Sequence, residues 1–222
     1  MTNNPNELTI ENSALVLIDH QPAVGLAVHS IDQGLLATNV ASLARAAKAL
    51  GVPTVLTTIG AKGSILVDPI FKEISDAFPE VTPIDRTSTN AGSDPNFRAA
   101  IDATGRKKLI MAGIVTGTCL SQSVLAALKD GFEVYFVSDC SGDVSKEAHD
   151  DAKVLMTQAG ARPIPLSEAE IAQIEKMEMR EWHIKKLWNY YVRKALDEEV
   201  LPQAWRDELV PTKEMLKRDR AL

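Results

Sequence analysis

Cysteine and surplus positive charge are both scarce in this chain, and each scarcity removes a class of protein. The two cysteines, Cys119 and Cys140, are too few for a disulfide framework and do not form a Cys-x-x-Cys pair. Both suit a reducing compartment, so a cytoplasmic location is expected. Lys and Arg number 24 against 30 Asp and Glu, for a formal charge of -6. That balance offers no basic stripe for a phosphate backbone or an anionic lipid surface, and neither nucleic acid nor membrane is expected as a partner. No apolar run approaches the roughly 20 residues of a membrane-spanning helix. Residues 1–11 are polar and lack the charged and apolar regions of a secretory leader, so none is expected.

What is present is an ordinary globular composition. The 222 residues are 45% hydrophobic and 24% charged, enough for one sizeable core plus an appendage. Residues 14–165 alternate short apolar runs with helical stretches, the pattern of a mainly parallel sheet covered by helices on both faces. Residues 14–18 are apolar throughout, as a strand buried on both faces requires, and the run ends on Asp19. Leu35, Leu36, Val40, Leu43, Ala47 and Leu50 recur at helical spacing, and Gly51 follows as a stop. Further strands are predicted over 53–59, 81–86, 108–112, 132–138 and 162–166, making about six. Helices are predicted over 65–78, interrupted by Pro69, and from Asp94 and Pro95 to Gly105, with the acid or Ser93 as cap. Two more are predicted over 118–130, stopped by Gly131, and over 145–159, stopped by Gly160.

The character changes after Leu166. Ser167-Glu-Ala-Glu170 is a capping box that starts a helix. Ile184, Leu187, Trp188, Tyr191, Val192 and Ala195 then form one stripe at helical spacing, and all three tryptophans lie in this region. Such a face has to be buried on its own core or on a neighbouring subunit. Residues 1–166 are therefore read as the main domain and 167–222 as a C-terminal helical extension, expected to build a homo-oligomer.

In a doubly wound sheet the residues just after the strands converge on one crevice. Asp19 follows the first strand, Arg86 ends the third, and Cys119 lies at the turn into the helix after the fourth. Gly113-Ile-Val-Thr-Gly-Thr-Cys119 runs from strand through a small-residue turn into a helix. A thiol near a helix start faces unpaired N–H groups, which favour thiolate and can stabilise an oxyanion. The bland reading is a buried, inert cysteine. Asp19 is equally a structural loop acid, and Arg86 beside Asp85 is equally half of a surface ion pair. Their joint occurrence is what points to a site.

Leu15-Val-Leu-Ile-Asp19 with Gln21 following, Arg86 followed by Asn90-Ala91, and Ala112-Gly-Ile-Val-Thr-Gly-Thr-Cys119 together resemble the isochorismatase-like cysteine hydrolase superfamily, in particular its YcaC-like subgroup. Phe132-Glu-Val-Tyr-Phe-Val-Ser-Asp139 with Ser141-Gly142 is similar to the family's next strand and loop. The resemblance covers roughly residues 10–166 and implies a Rossmann-like α/β core. It implies an acid, cation and cysteine triad, here Asp19, Arg86 and Cys119, and a cis peptide at Ile114-Val115 whose N–H, with that of Cys119, makes an oxyanion hole. Gln21, Asn90 and Thr116 are expected in the substrate pocket, with Leu35 and Trp188 as further apolar candidates.

The implied activity is hydrolysis of a C–N bond, amide or similar, in a small molecule through a thioester-type intermediate. Many members have lysine where Arg86 stands; arginine does not donate a proton at ordinary pH, so its role is read as electrostatic. His20, His29, His149 and His183 lack the spacing of the zinc ligands found in nicotinamidase-like relatives. No catalytic metal or other cofactor is expected, and His20 is read as a pocket or supporting residue. Two rival readings stand beside this one: ether hydrolysis using the acid without a covalent step, and a catalytically silent oligomeric scaffold or small-ligand binder.

Overall fold

The computed structural model describes residues 8–62 and 69–166. Six strands form one sheet: β1 (Ser13–Ile18), β2 (Thr54–Ile59), β3 (Ile84–Arg86), β4 (Lys108–Gly113), β5 (Glu133–Val137) and β6 (Arg162–Ile164). Their order is β3-β2-β1-β4-β5-β6, and every pairing is parallel. This is a doubly wound sheet whose order reverses between β1 and β4, so the ends of those two strands open the crevice where ligands bind in such folds. Helices α1 (Pro22–Gly25), α2 (Gln33–Ala49), α3 (Lys72–Ala77), α4 (Pro95–Ala103), α5 (Ser121–Lys129) and α6 (Lys146–Gln158) connect the strands.

The continuous apolar runs follow from this layering, because a central parallel strand has no solvent face. All six residues of β1 and all six of β4 are buried. Leu15, Leu17, Ile110 and Ala112 join Leu36, Val40 and Leu43 of α2 and Ile74 of α3 in one core. Val16, Ile18, Leu109 and Met111 meet Phe97 and Ile101 of α4, Val124 of α5 and Met156 of α6 in the other. Each such side chain contributes about 1.5–3 kcal/mol by leaving water. Asp94 caps α4, accepting from Asn96 N at 2.8 Å with Pro95 in the first turn, and Ser145 caps α6 through Ala148 N at 3.1 Å. Gly51, Gly105, Gly131 and Gly160 follow α2, α4, α5 and α6 with positive φ, as left-handed helix stops.

Several sequence expectations are corrected. Leu35 is 51% exposed, because the buried stripe of α2 runs through Leu36, Val40, Leu43 and Ala47 and leaves Leu35 off its edge. The helix expected over 65–78 is confined, among the described residues, to Lys72–Ala77. The helix expected from residue 118 is preceded by a turn of π-helix, Thr116–Leu120, in which Leu120 N donates to Val115 O at 3.2 Å. Residues 167–222, with the capping box, the aromatic stripe and Trp188, lie outside the described residues.

Candidate active site

Parallel pairing sets the ends of β1, β2 and β4 level with one another: Ile18 is in register with both Thr57 and Gly113. Gly113 permits this approach, since a Cβ there would stand 2.9 Å from Ile18 Cβ. Asp19 then leaves the strand with φ at +57°, a left-handed conformation that aspartate tolerates better than most residues. Its N–H still donates to Thr57 O at 3.1 Å, so the turn is anchored while the side chain is fully buried.

The Asp19 carboxylate gathers several donors. Thr57 Oγ1 donates to Oδ1 at 3.0 Å, and Arg86 Nη2 donates to Oδ2 at 2.6 Å. The Cys119 thiol lies near enough for it and this carboxylate to shift one another's pKa. Arg86 comes from the sheet edge, reaching past β2, and its Nη1 also donates to Ser88 O. Both members of the ion pair are essentially buried. Asp85 is not the partner of Arg86: its carboxylate accepts from Ala61 N, Lys62 N and Thr58 Oγ1. The three residues singled out from the sequence, Asp19, Arg86 and Cys119, thus lie together.

Burial pushes the Asp19 carboxyl up from its ordinary range, while Arg86, Cys119 and Thr57 pull against it. Burial also pushes the Cys119 thiol up, and the Asp19 charge and hydrogen bond push it further. Hydrogen bonds from the Val115 main chain and from Thr118, whose Oγ1 lies 3.8 Å from Sγ, pull in the other direction without winning. This overturns the expectation that the helix start favours thiolate. Cys119 sits inside the π turn, 5% exposed and beside a carboxylate, and those influences outweigh the main-chain donors.

The turn before Cys119 contains a cis peptide between Ile114 and Val115, the pair named from the sequence. Ile114 N donates to Ile18 O at 3.1 Å, and Thr116 N donates to Gly142 O at 2.8 Å. Thr116 is buried and shares a 2.9 Å hydrogen bond with His149 Nδ1. Gln21 spends its amide on the end of β2, accepting from Ile59 N at 2.7 Å and donating to Ile59 O at 3.3 Å. Asn90 caps the short 3-10 turn Ala91–Ser93 through Gly92 N at 2.9 Å. It also lines a cleft of about 530 Å³ with Gly92, Arg98, Gln122, Leu125 and Ala126.

His20 donates through Nε2 to Cys140 O at 3.0 Å and meets Phe71 edge-on at 5.9 Å. Burial lowers it to about 4, so it is neutral at neutral pH. Among the described residues no group of three His, Cys, Asp or Glu side chains is arranged to hold a metal ion. Residues that the sequence reading missed are Thr57, Ser123, Asp143 and His149. Ser123 Oγ donates to Cys119 O at 2.6 Å and accepts from Ala91 N at 3.0 Å, tying the loop after β3 to the nucleophile helix. Its place one turn beyond the cysteine was the available signal.

A family model described as the isochorismatase domain matches residues 13–168. The chain is 34% identical over 163 residues to the probable hydrolase YcaC of Escherichia coli strain K12, covering 73% of this chain and 77% of that protein. The structure of YcaC from Pseudomonas aeruginosa with hexane-2,5-diol and covalent acrylamide superposes with a TM-score of 0.74 at 31% identity, over 79% of this chain and 86% of that one. The Escherichia coli YcaC gene product, described as an octameric hydrolase of unknown specificity, superposes with a TM-score of 0.79 at 28% identity, over 90% of this chain and 100% of the other.

Proposed function

The chain belongs to the isochorismatase family, and from that premise we propose that it is a cysteine-dependent hydrolase of a C–N bond, amide or similar, in a small molecule. The observation that carries this reading is a buried Asp19 carboxylate, held by Arg86 and Thr57, in electrostatic contact with the buried Cys119 thiol. Asp19 takes the thiol proton as sulfur attacks the carbonyl carbon, and Arg86 stabilises the charge that moves between them. The Val115 main chain and the Cys119 N–H serve the developing oxyanion. Asp19 returns its proton to the departing nitrogen, the C–N bond breaks, and a thioester remains on Cys119. Water then attacks the thioester carbon, losing its proton to Asp19. The C–S bond breaks, the acid product leaves, and Asp19 reprotonates the sulfur.

The covalent acrylamide in the Pseudomonas aeruginosa relative supports a reactive side chain and a small amide-bearing ligand. The experiment is a screen of small amides, imides and ureas against wild type and Cys119→Ala, with intact mass used to trap a Cys119 adduct. Turnover lost in the variant together with a trapped acyl mass supports the reading. Full turnover in Cys119→Ala would instead favour non-covalent ether-type hydrolysis by Asp19, a second reading that the raised carboxyl of Asp19 favours. No turnover and no adduct across the panel would leave the scaffold reading.

The proposal extends to setting and assembly. A cytoplasmic location keeps both thiols reduced. The chain forms a homo-oligomer, in keeping with the octameric relative, with residues 167–222 contributing to the contacts. Deleting those residues and measuring mass by light scattering tests the last point, because an unchanged mass would remove it.

A further inference from the structure

The segment that follows β5 grips the nucleophile turn at successive points. Ser141 Oγ accepts from Gly113 N at 3.2 Å, and Gly142 O accepts from Thr116 N at 2.8 Å. Asp143 Oδ2 accepts from Gly117 N at 2.6 Å, and His149 Nδ1 meets Thr116 Oγ1 at 2.9 Å. Gly117 makes room for that carboxylate, since a Cβ there would stand 3.0 Å from Asp143 Oδ2. A buried carboxylate receiving a main-chain N–H is among the stronger hydrogen bonds a protein makes.

Asp143 is itself fixed from several sides and is 2% exposed. Its Oδ1 accepts from Val144 N at 2.7 Å, and its own N–H donates to Ser30 Oγ at 2.8 Å. Its carbonyl accepts from His29 N at 2.8 Å and Ser30 N at 3.1 Å. Gly142 lies close under Val28, where an added Cβ would meet Cγ1 at 2.6 Å. The segment is therefore backed by the chain between α1 and α2 and cannot retreat from the turn. Within the turn Val115 O accepts from Thr118 N and from Leu120 N, each at 3.2 Å, so the turn is closed around Cys119.

We propose that Asp143 and His149 are positioning residues that hold Gly117 and Thr116 so that the turn closed by Val115 keeps the Cys119 sulfur in place. The proposal rests on the cysteine-hydrolase reading above. Both side chains act through the turn. Small displacements of such a turn are costly, because an ångström of misplacement at a reacting group slows chemistry by about a hundredfold.

The test uses the full-length chain and two readouts, hydrogen exchange by mass spectrometry and second-order alkylation of Cys119 by acrylamide. His149→Ala and Thr116→Val remove the same contact from opposite ends. In each, exchange over residues 113–120 is expected to quicken by about tenfold, the worth of one hydrogen bond, while residues 133–137 are unchanged. Alkylation of Cys119 is expected to slow by about three- to tenfold. The double variant should be no worse than either single one. Asp143→Asn should recover part of what Asp143→Ala loses, and if the alanine variant does not fold, the Thr116–His149 cycle decides alone. Folded variants with unchanged alkylation overturn the proposal, whether or not exchange moves, and so does a double variant whose losses multiply. A wild-type Cys119 alkylated no faster than Cys140 is a different failure: it removes the hydrolase reading, and this proposal with it.

Discussion

Replacing Asp19 by asparagine should make Cys119 more reactive toward an alkylating agent while abolishing turnover. Asparagine keeps the shape of the side chain and an acceptor for Arg86, but it removes the charge that faces the sulfur. Two like charges about 5 Å apart repel by about 3 kcal/mol at an effective dielectric of about 20. Relieving that repulsion raises the thiolate population on the order of 100-fold. A less basic thiolate is also a weaker nucleophile, with a Brønsted slope of about 0.4–0.5, so roughly a tenfold gain in alkylation rate survives. The assay is iodoacetamide labelling at pH 7.5, followed by intact mass and by digestion to separate Cys119 from Cys140. The variant leaves the buried Arg86 without its counterion, which costs stability, so circular dichroism has to establish that the labelled protein is folded. If folded Asp19→Asn labels at the wild-type rate or more slowly, Asp19 is not what holds the thiol protonated, and the electrostatic account of the site fails.

The remaining predictions concern the frame around that pair. Arg86→Met breaks a buried ion pair and should cost about 3–5 kcal/mol in urea denaturation, with Arg86→Lys recovering part of it. Gly113→Ala places a Cβ 2.9 Å from Ile18 Cβ and should cost about 1–3 kcal/mol, lowering both the melting temperature and turnover. Thr57→Val removes a donor to Asp19, so the acid limb of the activity profile should move to higher pH. His20 is lowered in the fold to about 4 from an ordinary 6.5, so the unfolded state binds the extra proton. Stability should therefore fall as pH drops through that window, by about 3 kcal/mol in all, and urea melts of His20→Gln should lose that dependence.

The sheet was legible because a strand buried on both faces has to be largely apolar, and residues 14–18 and 109–112 are apolar throughout. The glycine stops after four helices were legible for an equally local reason. Helix α1 was not, because the four residues Pro22–Gly25 are too few to show a period. The π turn was hidden because an i to i+5 bond depends on how Thr116 and Gly117 are held from the β5 side, and sequence spacing carries no trace of that. Asp19, Arg86 and Cys119 were legible by position, since the first two stand where parallel strands end and the third at the turn into the helix after β4. The acidities of Asp19 and Cys119 were not: the helix start is a local feature, but the burial of Cys119 and its interaction with Asp19 depend on residues 100 positions apart.

That last difference bears on how the site can work with an arginine. As an ion pair Asp19 and Arg86 are together neutral, and a protonated thiol adds no charge. Passing the proton from Cys119 to Asp19 moves the negative charge from oxygen to sulfur and leaves the total unchanged. Burial therefore penalises neither state relative to the other in the way it would penalise making a lone thiolate. Arg86 has to remain charged throughout, and a guanidinium does so more surely than an ammonium in the same enclosure. The same burial that makes both groups weaker acids favours the neutral carboxylic acid of Asp19 once it has taken a proton. Under the proposed mechanism the proton that Asp19 takes from Cys119 is the one it returns to the departing nitrogen, so one carboxyl serves both halves of the acylation step.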